Sequence, residues 1–110
     1  MENLWQKFNN PTIEYRQIPF WSLNEKLNKK EMFRQIDTMA KAGYGGFFMH
    51  SRVGLVTEYL SKEWFALIKE CAKYAYKKDL RVWLYDEDMW PSGYASGLVT
   101  KSNVEYKLQH

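Results

Sequence analysis

In Arg81–Gly97, RVWLYDEDMWPSGYASG, an apolar run meets three acids and then a turn. Leu80–Tyr85 holds five apolar or aromatic residues in six positions. That is too short and too rich in Val and rings for a helix, and it reads as a buried strand. Asp86, Glu87 and Asp88 follow at once, then Met89, Trp90, the turn formers Pro91, Ser92 and Gly93, and Tyr94. Acids and aromatics at the carboxyl end of a strand, ahead of a Pro-Gly turn, are the layout of a parallel α/β site.

Upstream, Ser61 is placed to cap a helix whose inward face is Trp64, Phe65, Ile68, Cys71, Ala72 and Ala75, with Lys77 and Lys78 complementing the dipole at its end. The segment before it, SRVGLVTEYL, reads as a ten-residue loop, and Gly45–His50, GGFFMH, as a short strand with two glycines that permit close approach. Asn28 with Glu31 three residues on is a reciprocal helix-start signature. Met32, Phe33, Ile36, Met39 and Ala40 then recur at helical spacing up to Gly43, which predicts a helix over 29–42. Ile18–Leu23, IPFWSL, is the first strand, with Pro19 near its start. Residues 1–17 read as an irregular arm, and 98–110 carry only a weak pattern.

The order strand, helix, strand, helix, strand predicts an α/β fold with three parallel strands joined by crossovers. Two helices cover only one face of such a sheet, whereas parallel sheets are covered on both. The simplest account is that residues 18–110 are the first portion of a larger barrel. An open sheet edge and a bare apolar face also predict self-association of the isolated chain.

Composition narrows the function classes. With 45% hydrophobic and 26% charged residues the chain is ordinary globular material, but five Trp, eight Tyr and six Phe exceed what a small core needs. Some of these rings are expected on a surface that handles flat or ring-shaped ligands. The net charge of +3 is spread without a basic block, so nucleic acid is not expected. Cys71 is the only cysteine, on an apolar stripe, and reads as a small buried hydrophobe rather than a disulfide or zinc ligand. No window approaches the roughly 18 apolar residues of a membrane span, and no basic region followed by an apolar run opens the chain. It reads as soluble and intracellular.

Laid side by side, the strand ends PFWSLN (19–24), GGFFMHSRVGL (45–55) and VWLYDEDMWPSGYASG (82–97) resemble a known group. They are similar to the N-terminal part of the catalytic (β/α)8 barrel of bacterial glycoside hydrolases related to the family 2 and family 106 (α-L-rhamnosidase-like) enzymes. YDED, one residue, then WPSGYA is the most specific element. The resemblance implies a partial TIM (β/α)8 barrel over residues 18–110 and a sugar-handling protein with its site at the strand carboxyl ends and no cofactor. It also implies that the acid/base and nucleophile come from strands later than the third, so that this chain is inactive by itself.

The candidate substrate-binding residues are Trp21, Asn24, His50, Arg52, Tyr85, Asp86, Glu87, Asp88 and Trp90, with Glu87 a weak catalytic candidate. The acids suit sugar hydroxyls, a hard cation, or one half of a carboxylate pair; they suit a solvated turn as well. If the strand continues, alternation sets Asp86 and Asp88 on one side and Glu87 on the other. His50 and Arg52 follow the neighbouring strand and are cations for that cluster, Arg52 being able to clamp a carboxylate of the protein or of a substrate. Trp21, Trp90 and Tyr94 offer rings to a sugar face, or fill the interior and pin the loop. No HxH or HExxH spacing supports a metal site around His50, Asp86 and Asp88.

Overall fold

The computed structural model of the chain describes residues 3–87 and 97–102. The elements are α1 (Leu4–Asn9), a 3-10 turn (Ile13–Tyr15), β1 (Phe20–Glu25), α2 (Lys29–Lys41), β2 (Gly46–Leu55), α3 (Lys62–Lys77), β3 (Arg81–Leu84) and α4 (Leu98–Ser102). The three strands form one parallel sheet in the order β1-β2-β3. The fold is therefore α/β, with three parallel strands alternating with helices in an open sheet.

One sheet face packs on α2 and α3. Trp21 and Leu23 of β1 and Phe47 and Met49 of β2 join Met32 and Ile36 of α2 and Trp64, Cys71 and Ala75 of α3 in a single buried cluster closed by Leu27 and Leu80. On β1 and β2, alternate positions point inward, as the two-residue period of a strand requires. Burial pushes the Cys71 thiol up to about 12, in keeping with an inert core residue. The two helices are also tied to each other. Tyr74 stacks on Phe33 with centroids 4.1 Å apart, and its hydroxyl donates to Asp37 at 2.7 Å.

Several local signals read as expected. Ser61 Oγ accepts from Trp64 N at 3.1 Å, and Gly43 leaves α2 at φ +88°. Close approach is the role of the paired glycines: a Cβ on Gly46 would run into the backbone of Arg81, and one on Gly45 into the carbonyl of Ile13.

Other expectations are corrected. The arm is not irregular throughout, because Asn3 and Gln6 form a reciprocal cap that starts α1: Asn3 Oδ1 accepts from the Gln6 backbone N–H at 2.9 Å, and the Asn3 backbone N–H donates to Gln6 Oε1 at 3.1 Å. At α2 the reciprocal half is missing. Asn28 accepts from Glu31 N, but the Glu31 carboxylate turns forward to Arg34 and Gln35. β1 begins two residues later than expected, and β2 runs on to Leu55 through half of the predicted loop. Phe65 is 51% exposed rather than inward, since Trp64, Ile68, Cys71 and Ala75 already fill the stripe and Phe65 packs only edge-on to Trp64 at 5.0 Å.

The arm is braced to the amino ends of the strands. Arg16 donates to the carbonyls of Pro11 (2.8 Å) and Gly43 (3.1 Å) and to Asn10 Oδ1 (2.8 Å), while Glu14 pairs with Arg81 at 2.8 Å. No helix among the described residues is long and apolar enough to cross a membrane.

Candidate site at the strand carboxyl ends

The face of the sheet turned away from α2 and α3 carries rings in two registered rows. Phe20, Phe48 and Trp83 are paired across the strands, with centroids 5.1 Å apart for Phe20–Phe48 and 5.3 Å, stacked, for Phe48–Trp83. One step towards the carboxyl ends, Ser22 pairs with His50, and Tyr85 continues β3 by donating its N–H to the carbonyl of Met49 at 2.9 Å. His50 and Tyr85 lie 4.2 Å apart, and Phe20 touches both, at 6.0 and 5.8 Å. Phe20 is 62% and Trp83 38% exposed. An apolar shelf thus ends in a histidine and a phenol.

Beyond this row β2 departs from regular pairing. Leu23 opposes Ser51, but Glu25 opposes Leu55, so Arg52, Val53 and Gly54 bulge out opposite Asn24 alone. Gly54 sits at φ +97° beside Asn24, and Glu25 itself takes φ +61° while its carbonyl accepts from Val56 N at 2.8 Å. Bulges of this kind re-aim side chains near sites. Here the bulge lifts Arg52, the next residue on the His50 side of β2, towards solvent.

The charges of Arg52 and Glu87 meet on this rim. Burial holds His50 below its ordinary value, Arg52 lowers it further, and Glu87 opposes both. At neutral pH the imidazole is neutral, with one nitrogen donating and one accepting. Tyr85 is shifted upward, first by its hydrogen bond to Glu87 and then by the charge of that carboxylate, so it stays a donor. Glu87 retains lone pairs for other donors. Among the described residues Arg52 belongs to none of the ion pairs.

Asp86 turns out to matter through its backbone. Its carbonyl accepts from the Tyr59 hydroxyl at 3.1 Å; Tyr59 packs edge-on to Trp64 at 5.0 Å, and the Trp64 indole donates to Ser51 Oγ at 3.0 Å. The acidic end of β3 is therefore tied through two rings to the strand that carries His50 and Arg52. Ser51 and Thr57 are both buried, and Thr57 Oγ1 accepts from Leu27 N at 2.9 Å, fixing the loop that carries Tyr59.

Of the residues expected from sequence, the structure brings His50, Arg52, Tyr85 and Glu87 together and sets Asn24 and Asp86 on the same rim. Trp21 lies elsewhere. Phe20 and Ser22 take the open face, so Trp21 points into the helix side, where its indole donates to Gln35 at 2.7 Å and its ring meets Phe47 edge-on at 5.1 Å. Asp88 and Trp90, and with them Pro91, Ser92, Gly93 and Tyr94, lie outside the described residues. Sequence reasoning missed Phe20, Phe48, Trp83 and Tyr59. Alternation counted along IPFWSL and GGFFMH would have separated Phe20 from Trp21 and put Phe48 with His50. Nothing in the sequence pointed to Tyr59. Among the described residues no group of three or more His, Cys, Asp or Glu is placed to hold a metal ion.

No family model matches the chain, and a search of curated proteins finds no match.

Proposed function

We propose that the chain supplies the first three strand units of a glycoside hydrolase (β/α)8 barrel and that its strand ends form part of the sugar-binding site. The observation that supports this reading is the shelf of Phe20, Phe48 and Trp83 ending in His50, Tyr85 and Glu87 at the carboxyl rim of adjacent parallel strands. Rings offer the apolar face of a pyranose a flat surface, and a neutral imidazole, a phenol and a carboxylate offer its hydroxyls donors and acceptors. Asp88 and Trp90 belong to the same proposal on sequence grounds. In a barrel the Phe20, Phe48 and Trp83 row would pack in the interior as the floor beneath the rim, and the sugar would meet the row of His50, Tyr85 and Glu87 above it.

Hydrolysis needs two carboxylates set across the scissile bond. Among the described residues Asp86 and Glu87 are adjacent on one strand end and so are not set across a bond, and Glu25 and Glu58 are exposed loop or strand-end groups. The polypeptide by itself is therefore expected to bind sugar without cleaving it. Saturation-transfer NMR with neutral methyl glycosides tests the reading. Signals that persist with Lys73→Ala, an exposed residue of α3, and vanish with Tyr85→Ala support it; no signal, or equal signals with Tyr85→Ala, refute it.

A second reading, a small carbohydrate-binding or self-associating module, is favoured by the exposure of Phe20 and Trp83 in a three-stranded sheet with two edges. Light scattering at micromolar concentration separates the two states: a dimer that dissociates on Phe20→Ser supports self-association, and a stable cooperative monomer excludes it.

A further inference from the structure

The rim combines a carboxylate beside a phenol with a guanidinium that makes no ion pair among the described residues, and the two ask for different ligand groups. Glu87 accepts from Tyr85 and suits the hydroxyls of a sugar. Arg52 is exposed on the bulge next to the shelf, follows His50 on the same side of β2, and makes none of the ion pairs among the described residues. The other arginines are differently placed. Arg16 is spent on three acceptors in the arm, Arg34 is paired with Glu31, and Arg81 is paired with Glu14. Arg52 alone is presented to the rim, and it is held there by a three-residue bulge whose Gly54 takes a left-handed conformation.

Its charge bears on both His50 and Tyr85, whose rings sit 4.2 Å apart, centroid to centroid, at the end of the shelf. A guanidinium is a planar fork that matches a carboxylate in bidentate fashion and remains charged at any physiological pH. A ring resting on Phe20 and Tyr85, with hydroxyls towards Glu87 and His50, would direct a ring substituent across the rim to the bulge. From this arrangement we infer that Arg52 selects a carboxylate-bearing sugar, a hexuronic acid or its glycoside, over the neutral hexose. The inference rests on the sugar-site reading above and specifies its substrate class. Glu87 and Arg52 then divide the ligand between them: the carboxylate reads the hydroxyl edge and the guanidinium the acid.

The test uses the full chain and three probes: the methyl glucosides of both anomers, the corresponding methyl glucuronides, and sodium acetate as an anion without a ring. Binding is followed by chemical shifts of the backbone amides of His50, Arg52 and Tyr85. The glucuronide of at least one anomer should bind about tenfold or more tightly than its glucoside, the discrimination expected of one charge-assisted contact. Arg52→Leu should erase that preference, bringing glucuronide affinity down to that of the glucoside for the same variant, and Arg52→Lys should restore part of it, since a point charge lacks the fork. Acetate should bind far more weakly than the glucuronide. Equal binding of glucoside and glucuronide, or a preference that survives Arg52→Leu, overturns the inference and leaves the sugar site standing. Acetate matching the glucuronide also overturns it, making Arg52 a surface cation only. Binding of neither sugar overturns the sugar site itself and the inference with it. Arg52 is exposed, so Arg52→Leu should keep the wild-type circular dichroism and denaturation midpoint.

Discussion

Replacing Trp64 by Phe tests how the site is anchored to the core. The indole is 1% exposed, is flanked edge-on by Tyr59 and Phe65 at 5.0 Å each, and donates to Ser51 Oγ at 3.0 Å. Phe keeps a ring in the slot but removes the N–H and leaves a partial cavity. The lost hydrogen bond counts about 0.5–1.5 kcal/mol, and the buried Ser51 hydroxyl left without its partner about 1–3 kcal/mol. Together these give roughly 1.5–4.5 kcal/mol, a large part of the ~5–15 kcal/mol that holds a typical domain together. Adding Ser51→Ala to the Trp64→Phe variant removes the orphaned hydroxyl and should recover about 1 kcal/mol or more, so the two substitutions are coupled. Urea denaturation of the four proteins in the cycle measures this. A Trp64→Phe cost below about 0.5 kcal/mol, or additive effects of the two substitutions, would refute the claim that this bond ties α3 to the strand bearing His50 and Arg52.

Four other outcomes are expected. Gly46→Ala should destabilise by about 1–3 kcal/mol or prevent folding, because the added Cβ meets the Arg81 backbone, which cannot swing aside like a side chain; an unchanged denaturation midpoint contradicts this. His50 titrates below its usual 6.5, so between 6.5 and its folded value the unfolded chain binds more protons than the folded one; stability should fall as pH drops through that window, and His50→Asn should flatten the dependence measured by urea denaturation. On the proposed function, Asp86→Asn or Asp88→Asn in a polypeptide that completes the barrel should lower kcat/KM by roughly one to two orders of magnitude with folding little changed, at ~1.4 kcal/mol per factor of ten; unchanged kinetics with raised stability would make the acids a solvated turn. Pure chain should show no turnover of aryl glycosides, and turnover abolished by Glu87→Gln would overturn the division of labour proposed for the rim.

The elements that span the core were legible because their signals are local and periodic. Met32, Ile36, Trp64, Cys71 and Ala75 follow the helical spacing, Ser61 and Gly43 sit at helix boundaries, and the apolar runs around Phe47 and Val82 are strands. Most of what stayed hidden depends on contacts between distant residues. The arm cap of Asn3 and Gln6 is the exception, a local signature hidden by the polar composition around it. Continuation of β2 to Leu55 is decided by pairing with Glu25, which no window around RVGL reveals. Trp21 looked like a site residue because it precedes a strand end, but side is set by alternation, and Leu23 shares its face. The grouping of His50, Tyr85 and Glu87 followed from parallel strand order alone. The tie from Tyr59 to Asp86 spans 27 residues and has no sequence signal.

Backbone shift mapping with a saturating neutral methyl glycoside on uniformly 15N-labelled chain tests the sugar-site proposal most directly. The account predicts that shifts concentrate at His50, Arg52, Tyr85 and Glu87 and spare Gly46 and Arg81 at the opposite ends of the same strands. Shifts centred on the exposed Leu4, Trp5 and Phe8 of α1 would contradict it, as would no shift at any of the four rim residues.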